Sequence, residues 1–229
     1  MQWLEGLWTR EGAGIDKDAP RPTGLALFFD ILKREWWELV KLNLLFLIAS
    51  LPLVTIPAAT FAIARVSRSI VSDENSYLLR DFVEAFQRYA VRGTVVMLAC
   101  ATLIGASTYA VITYAKAAPD ALIYSLPLTI SLLMTLFISL VSAYAIVLTV
   151  TRDVAVVSLF RQAALLALVK PLPMLAALAF VAALWLAHIL FYPVSVFMPA
   201  TINFSLGIFT MCFAARHIET FDLKGTRYR

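Results

Sequence analysis

Charge is what four stretches of this sequence lack: residues 42–64, 93–115, 121–151 and the 45-residue run 171–215 contain no Asp, Glu, Lys or Arg. Water-soluble domains do not sustain such runs, because their helices keep a polar face. A helix that crosses a hydrocarbon layer roughly 30 Å thick needs about 20 uncharged residues, and each of these runs is long enough. The last one holds two helices, with Tyr192-Pro193 as the natural turn between them. Histidine is nearly missing too: two in the chain leave no two-His metal pair. Neither a phosphate-binding glycine loop nor a nucleophile elbow occurs. The two cysteines, Cys100 and Cys212, both fall in apolar runs, which argues against a structural disulfide framework and for inert packing. Together these absences predict a protein that is not an enzyme and carries no cofactor and no metal.

What is present is apolar. Hydrophobic residues make up 61% of the chain and the mean hydropathy is +0.82, so lipid rather than water is the expected solvent. The predicted fold is all-α: a polytopic helical membrane protein with four full spans, one proline-broken segment that is either re-entrant or a fifth span, and short amphipathic interfacial helices. Residues 1–24 read as a mobile tail rich in Gly, Pro and mixed charge, residues 25–218 as a single membrane-embedded domain, and residues 219–229 as a short cytoplasmic tail. Thirteen charges in residues 1–41 and no early apolar core argue against a signal peptide. Leu25, Phe29, Leu32, Trp36 and Leu39 step by three or four opposite Asp30, Lys33, Arg34, Glu38 and Lys41, the pattern of a helix lying in the headgroup layer.

Segment 42–64 is interrupted by Pro52 and Pro57. If it crosses once, the basic residues divide between the two sides. If it turns back at the prolines, eighteen of the nineteen share one side and only Lys116 faces out. The positive-inside bias favours the second arrangement, with the basic loops cytoplasmic; a broken helix at that depth needs neighbours around its freed backbone groups. Ser72-Asp73-Glu74-Asn75 supplies turn and cap chemistry. After it, Leu79, Phe82, Phe86 and Tyr89 form a stripe opposite Arg80, Asp81, Glu84, Gln87 and Arg88, which predicts a surface helix leading into the span at Gly93. Residues 153–170 form a further interfacial linker, and Pro171 and Pro173 set the start of the next span.

Between their ends the runs hold no acid or base, and the one titratable group at depth is His188. An ion-coupled pathway requires ionisable groups along its length, so that class of transporter is disfavoured; His188, near a helix end, reads as a hydrogen-bonded structural histidine. Asn43 and Asn203 are amides in apolar settings, placed to bridge helices, and Asn203 alternatively lines a polar site. Ala101 with Gly105, and Ala179 with Ala183 and Ala187, are small residues at helical spacing that permit close helix approach. Basic residues are scattered beside the apolar runs, which marks membrane orientation and not nucleic-acid binding.

Leu42-Asn43-Leu44-Leu45-Phe46 and then Ser50-Leu51-Pro52-Leu53-Val54-Thr55-Ile56-Pro57-Ala58-Ala59 resemble the YesL-like family of bacterial membrane proteins, a domain of unknown function. The likeness continues through Asp81-Phe82 and Ala85-Phe86 and covers roughly residues 25–218. Where the family often has Gly before the second proline, Ile56 stands here. The resemblance singles out Asn43, Pro52, Thr55, Pro57, Asp81 and Phe82 as a motif and carries over no catalytic residues. Family members often accompany operons for polysaccharide uptake and breakdown, so the resemblance implies an accessory or regulatory part in carbohydrate uptake, with subunits of an ATP-driven sugar importer as partners beside the lipid bilayer. The alternative is a small permease subunit that itself forms a substrate path. Arg161-Gln162-Ala163-Ala164 resembles the Glu-Ala-Ala loop of importer permeases, but the downstream Gly is absent and the match is read as chance. The expected location is the bacterial cytoplasmic membrane; oligomeric state is not legible.

Cysteine accessibility separates the two topologies. In a Cys100→Ala, Cys212→Ala background, single cysteines replace Thr9, Ser76, Ala118 and Thr226. If the prolines turn the chain back, only position 118 reacts with an impermeant reagent in intact cells; labelling of 9 together with 118 means that segment 42–64 crosses.

Overall fold

The computed structural model describes residues 22–74, 77–119 and 121–217. Most of the expected N-terminal tail, Asn75 of the 72–75 turn and the C-terminal tail lie outside the described residues. By compactness the chain divides into Met1–Arg34 and Glu35–Arg229. The described part of the first unit is helix α1, Gly24–Arg34, on which the Phe28 and Phe29 rings meet edge-on at 5.4 Å.

The second unit is a helical bundle: α2 Trp36–Ala49, α3 Ile56–Val71, α4 Leu78–Ala117, α5 Ser125–Thr151, α6 Val156–Val169, α7 Pro171–Leu190 and α8 Phe204–Ala214. Short 3-10 turns precede α3 and α5, and a widened π-turn, Pro199–Asn203, leads into α8. Among the described residues, five helices are long and apolar enough to cross a membrane: Leu53–Val71, Leu78–Ala117, Leu122–Thr151, Pro171–Leu190 and Val194–Ala214.

Three boundaries differ from the sequence reading, each for a physical reason, and the expected break at the prolines is present. The helix expected through residues 25–41 breaks at Glu35, and its second part continues as α2 into the apolar run. Segment 42–64 is not one rod. Pro52, which cannot donate to a helix ladder, ends α2, and the chain re-enters a helix with Pro57 in the first turn of α3, where a missing N–H costs nothing. At about 1.5 Å per residue α2 is only about 21 Å long, too short to cross alone. Helix α3 runs on past residue 64 to Val71, so Arg65 and Arg68 stand within the bundle and not in a connecting loop. The surface helix expected before Gly93 is continuous with the span as one 40-residue helix, α4, because no breaker interrupts it.

Helix α3 is the centre of the bundle. Its run Ala58, Ala59, Phe61, Ala62, Ile63, Ala64 and Val66 is buried against α2, α4, α5 and α8. In lipid the hydrophobic effect does not drive helices together, so close packing over small side chains does, and the alanines of α3 provide it. The small residues singled out in the sequence do not: Ala101, Gly105, Ala179 and Ala183 lie on outward faces, and nothing approaches Gly105 within 4 Å. Gly93 is the close-approach glycine. A Cβ there would overlap the Phe61 ring, with Cε2 at 3.0 Å and Cδ2 closer. Both cysteines are buried and free, and the Cys212 thiol donates a weak bond to the Ala64 carbonyl at 3.6 Å.

Gly93→Ala therefore overpacks the α3–α4 seam. Destabilisation of about 1–3 kcal/mol is expected, read as a lowered unfolding midpoint of the detergent-solubilised protein, and a Phe61→Leu partner change should restore part of it.

Candidate functional site

The end of α5 fixes the main polar feature. Helix α5 stops at Thr151 and the chain extends through Arg152 (φ −131°, ψ 131°) before α6 starts at Val156. The extended segment leaves carbonyls without helical partners, and Arg92 of α4 reaches across to them. Its Nη2 donates to the Arg152 carbonyl at 3.1 Å and the Val154 carbonyl at 2.7 Å, while Nη1 pairs with the Asp153 carboxylate. Arg152 is held in turn, donating from Nη1 to Gln162 Oε1 at 2.7 Å, and Gln162 donates to the Ser158 hydroxyl at 3.3 Å. Gln162 thus serves the inside of the protein, while Arg161 beside it is exposed.

Around this clamp lies an open cavity of about 380 Å³. Arg65 and Arg68 enter it from α3, Arg88 and Arg92 from α4, and Arg152 from the loop after α5. Two carboxylates, Glu74 and Asp153, also line it, leaving a formal excess of three positive charges among the described residues. Arg68 is only 4% exposed, so its charge acts where water screens it poorly. The Arg65–Glu74 pair is long, 3.8 Å, and exposed at both partners, a geometry that contributes little to stability. A smaller annex of about 180 Å³ shares Arg65, Glu74, Arg88 and Tyr89 and adds the acidic side chains Asp81 and Glu84. The positive field reaches further round the same end: burial, then Arg216, Lys170 and Arg68, holds His217 below the usual histidine range. Arg216 caps the end of α8, donating to the Phe213 carbonyl at 3.1 Å with its guanidinium 4.0 Å over the Phe213 ring.

A second arrangement lies deeper. Helix α8 is entered through the π-turn Pro199–Asn203, where the regular ladder is interrupted. Asn43 of α2, fully buried, sits against the gap. Its Nδ2 donates to the Pro199 and Ala200 carbonyls at 3.0 and 2.8 Å, and its Oδ1 accepts from the Phe204 and Ser205 amides, both at 3.1 Å. Both donors and both acceptor positions of the side chain are used. Next to it Asn203 is 1% exposed with neither amide atom hydrogen-bonded, on the wall of an otherwise apolar cavity of about 140 Å³ that includes Phe46, Thr60 and Trp185.

The other singled-out residues shape the backbone. Thr55 closes the proline turn, its hydroxyl donating to the Ala49 and Pro52 carbonyls; Leu51, Leu53 and Val54 around Pro52 are exposed. Asp81 accepts from the Tyr77 amide at 2.9 Å and so caps the start of α4, while Phe82 is buried one residue on. His188 Nδ1 lies 2.9 Å from the Ser195 carbonyl, and the Ser195 hydroxyl donates to the His188 carbonyl at 2.7 Å, which ties the turn after α7 to that helix. The arginine cavity brings together none of the expected site residues. Its members were read as orientation signals in loops, and only the recurrence of Arg just past several apolar runs hinted that they meet.

Five crossing-length apolar helices among the described residues, three of which line a cationic basin at one end, define a polytopic helical membrane protein. The model of a family described as protein of unknown function, DUF624, matches residues 39–111, from the first turn of α2 through the proline turn and α3 into α4. No curated protein and no solved structure matches the chain. The matched stretch holds Asn43, the two prolines and four of the five basin arginines; Arg152 lies beyond it.

Asn43→Ala leaves two carbonyls and two amides in the bundle without their partner. A loss of about 3 kcal/mol is expected, the scale of buried polar groups left unsatisfied, measured by reversible unfolding in mixed micelles; a change under about 0.5 kcal/mol would show that the turn is held by other means.

Proposed function

We propose that the protein is a non-enzymatic accessory subunit that assists or regulates carbohydrate uptake at the bacterial cytoplasmic membrane, and that it works by receiving an anionic group in the arginine-lined basin. The observation that carries this reading is the convergence of five arginines, from α3, α4 and the loop after α5, on one open cavity. The charge gathers at one end of the bundle, whereas a path for a charged or ion-coupled solute requires ionisable groups along its depth. By the positive-inside tendency that end is the cytoplasmic one, the side on which an importer's ATPase works. The family match over residues 39–111 supports the YesL-like resemblance, since it spans the same Leu42–Ala59 and Asp81–Phe86 stretches, and carbohydrate uptake enters through that resemblance.

A second reading, a small permease subunit, is favoured by the cavity at Asn203, where a buried amide without a partner faces an apolar space inside the helices. One pair of measurements separates the two. For the accessory role, tagged full-length protein should recover sugar-importer subunits from its own membranes, a reversed-charge Arg65→Glu, Arg88→Glu variant should recover at least tenfold less, and purified protein in vesicles should pass no sugar. Sugar flux by the purified protein alone would establish the permease reading instead, and undiminished recovery by the variant would remove the basin from the role.

A further inference from the structure

The basin's chemistry narrows what it can hold. Guanidinium groups present planar forks that match the oxygen edges of phosphates and carboxylates and are more weakly hydrated than ammonium groups. Among the described residues, every cation lining this cavity is an arginine and none is a lysine, so recognition here works through paired donors rather than a diffuse positive charge. The formal excess of three charges is more than one carboxylate neutralises, while a phosphate monoester carries about −1.5 to −2 at pH 7 with three strong acceptor oxygens.

The five arginines also differ in freedom. Arg92 and Arg152 are anchored, one on two loop carbonyls and Asp153, the other on Gln162, so the wall that they form is organised before any ligand arrives. Arg65 meets Glu74 only at 3.8 Å, and the Arg88 guanidinium rests 5.9 Å from the Tyr89 ring centre. These two stand on the boundary between the basin and its acidic annex, Arg65 placed to swing from Glu74, and Arg88 from the Tyr89 ring, towards an incoming anion. Arg68, buried at the wall, adds a charge that solvent does not damp.

From this geometry we infer that the basin is a binding site for a phosphate monoester group, with Arg92 and Arg152 as the fixed wall and Arg65 and Arg88 as the closing pair. The inference rests on the reading of the basin as an anion receptor and adds the identity of the anion. The same headgroup chemistry comes from two sources, a soluble phosphate ester or phosphatidic acid in the bilayer, and the experiment distinguishes them.

Purified full-length protein is titrated by calorimetry with inorganic phosphate and with glycerol 3-phosphate, at constant ionic strength set with chloride. In parallel it is reconstituted into nanodiscs of phosphatidylcholine alone or doped with phosphatidic acid. Saturable binding of the soluble compounds assigns a soluble ligand; a raised thermal midpoint only in phosphatidic acid discs assigns the lipid. Either supports the site, provided that Arg65→Gln, Arg88→Gln weakens it at least tenfold, that Arg65→Lys, Arg88→Lys weakens it by a smaller factor, and that Lys116→Gln at the far end of α4 leaves it unchanged. Both residues of the closing pair are at the surface, and the variant's elution as a single species with an unshifted ligand-free midpoint shows that it is folded. No response to either source, or a response of the same size in Arg65→Gln, Arg88→Gln, overturns the inference. If importer recovery still depends on Arg65 and Arg88 while phosphate does not bind, the receptor role stands and only the phosphate assignment falls.

Discussion

A helix inside hydrocarbon must satisfy its own backbone, since no water is there to do it. This bundle breaks that rule at Pro199–Asn203, where the turn into α8 widens, and meets it again through one side chain. Asn43 supplies two donors and two acceptors to the four groups beside the gap. The position of α2 against the Val194–Ala214 helix follows, and with it the proline turn and the approach of α3, whose Ala64 carbonyl meets Cys212 further along α8. Phe46, one turn after Asn43, stacks at 4.9 Å on Phe204 and fills the same seam. A proline-broken segment and an irregular span thus complete each other.

The basin obeys the same rule at the other end of α3. The extended residues after Thr151 leave carbonyls facing the bundle, and Arg92 answers two of them while its charge remains at the cavity wall. Bound to two carbonyls as well as to the Asp153 carboxylate, that guanidinium is held by neutral oxygens and a counter-charge together. Gln162 adds a neutral oxygen to the hold on Arg152. Structural hydrogen bonding and retained positive charge come from the same atoms, which is how a cavity rich in arginine persists beside a membrane core.

The helical class and the apolar elements were legible because freedom from charge over 20 residues is a compositional demand of lipid, visible without knowing any contact. Pro52 and Pro57 marked the break for a local reason, the missing donor. Asn43 could be seen as an amide placed to bridge helices, but its partners lie 156 to 162 residues on, and no periodicity points across that distance. Arg65 and Arg68 were misplaced because a charge after an apolar run looks like the start of a loop, whereas α3 carries both within its last turns and finds them a polar cavity. The stripe at Leu79–Tyr89 was visible as a stripe; that it shares one axis with the following span was not, since a glycine at 93 reads as a joint until the Phe61 ring against it is seen.

That shared axis has a mechanical meaning. An unbroken helix of 40 residues is a rod of about 60 Å, roughly twice the hydrocarbon thickness. Arg88 and Arg92 lie just before the Gly93–Phe61 seam and Lys116 lies near the far end. Pivoting such a rod by about 5° there moves its far tip by roughly 3–4 Å, from a rise of about 1.5 Å per residue over the 24 residues to Ala117. A tilt of α4 about that seam would thus displace the Lys116 end most and Arg92, beside the seam, least.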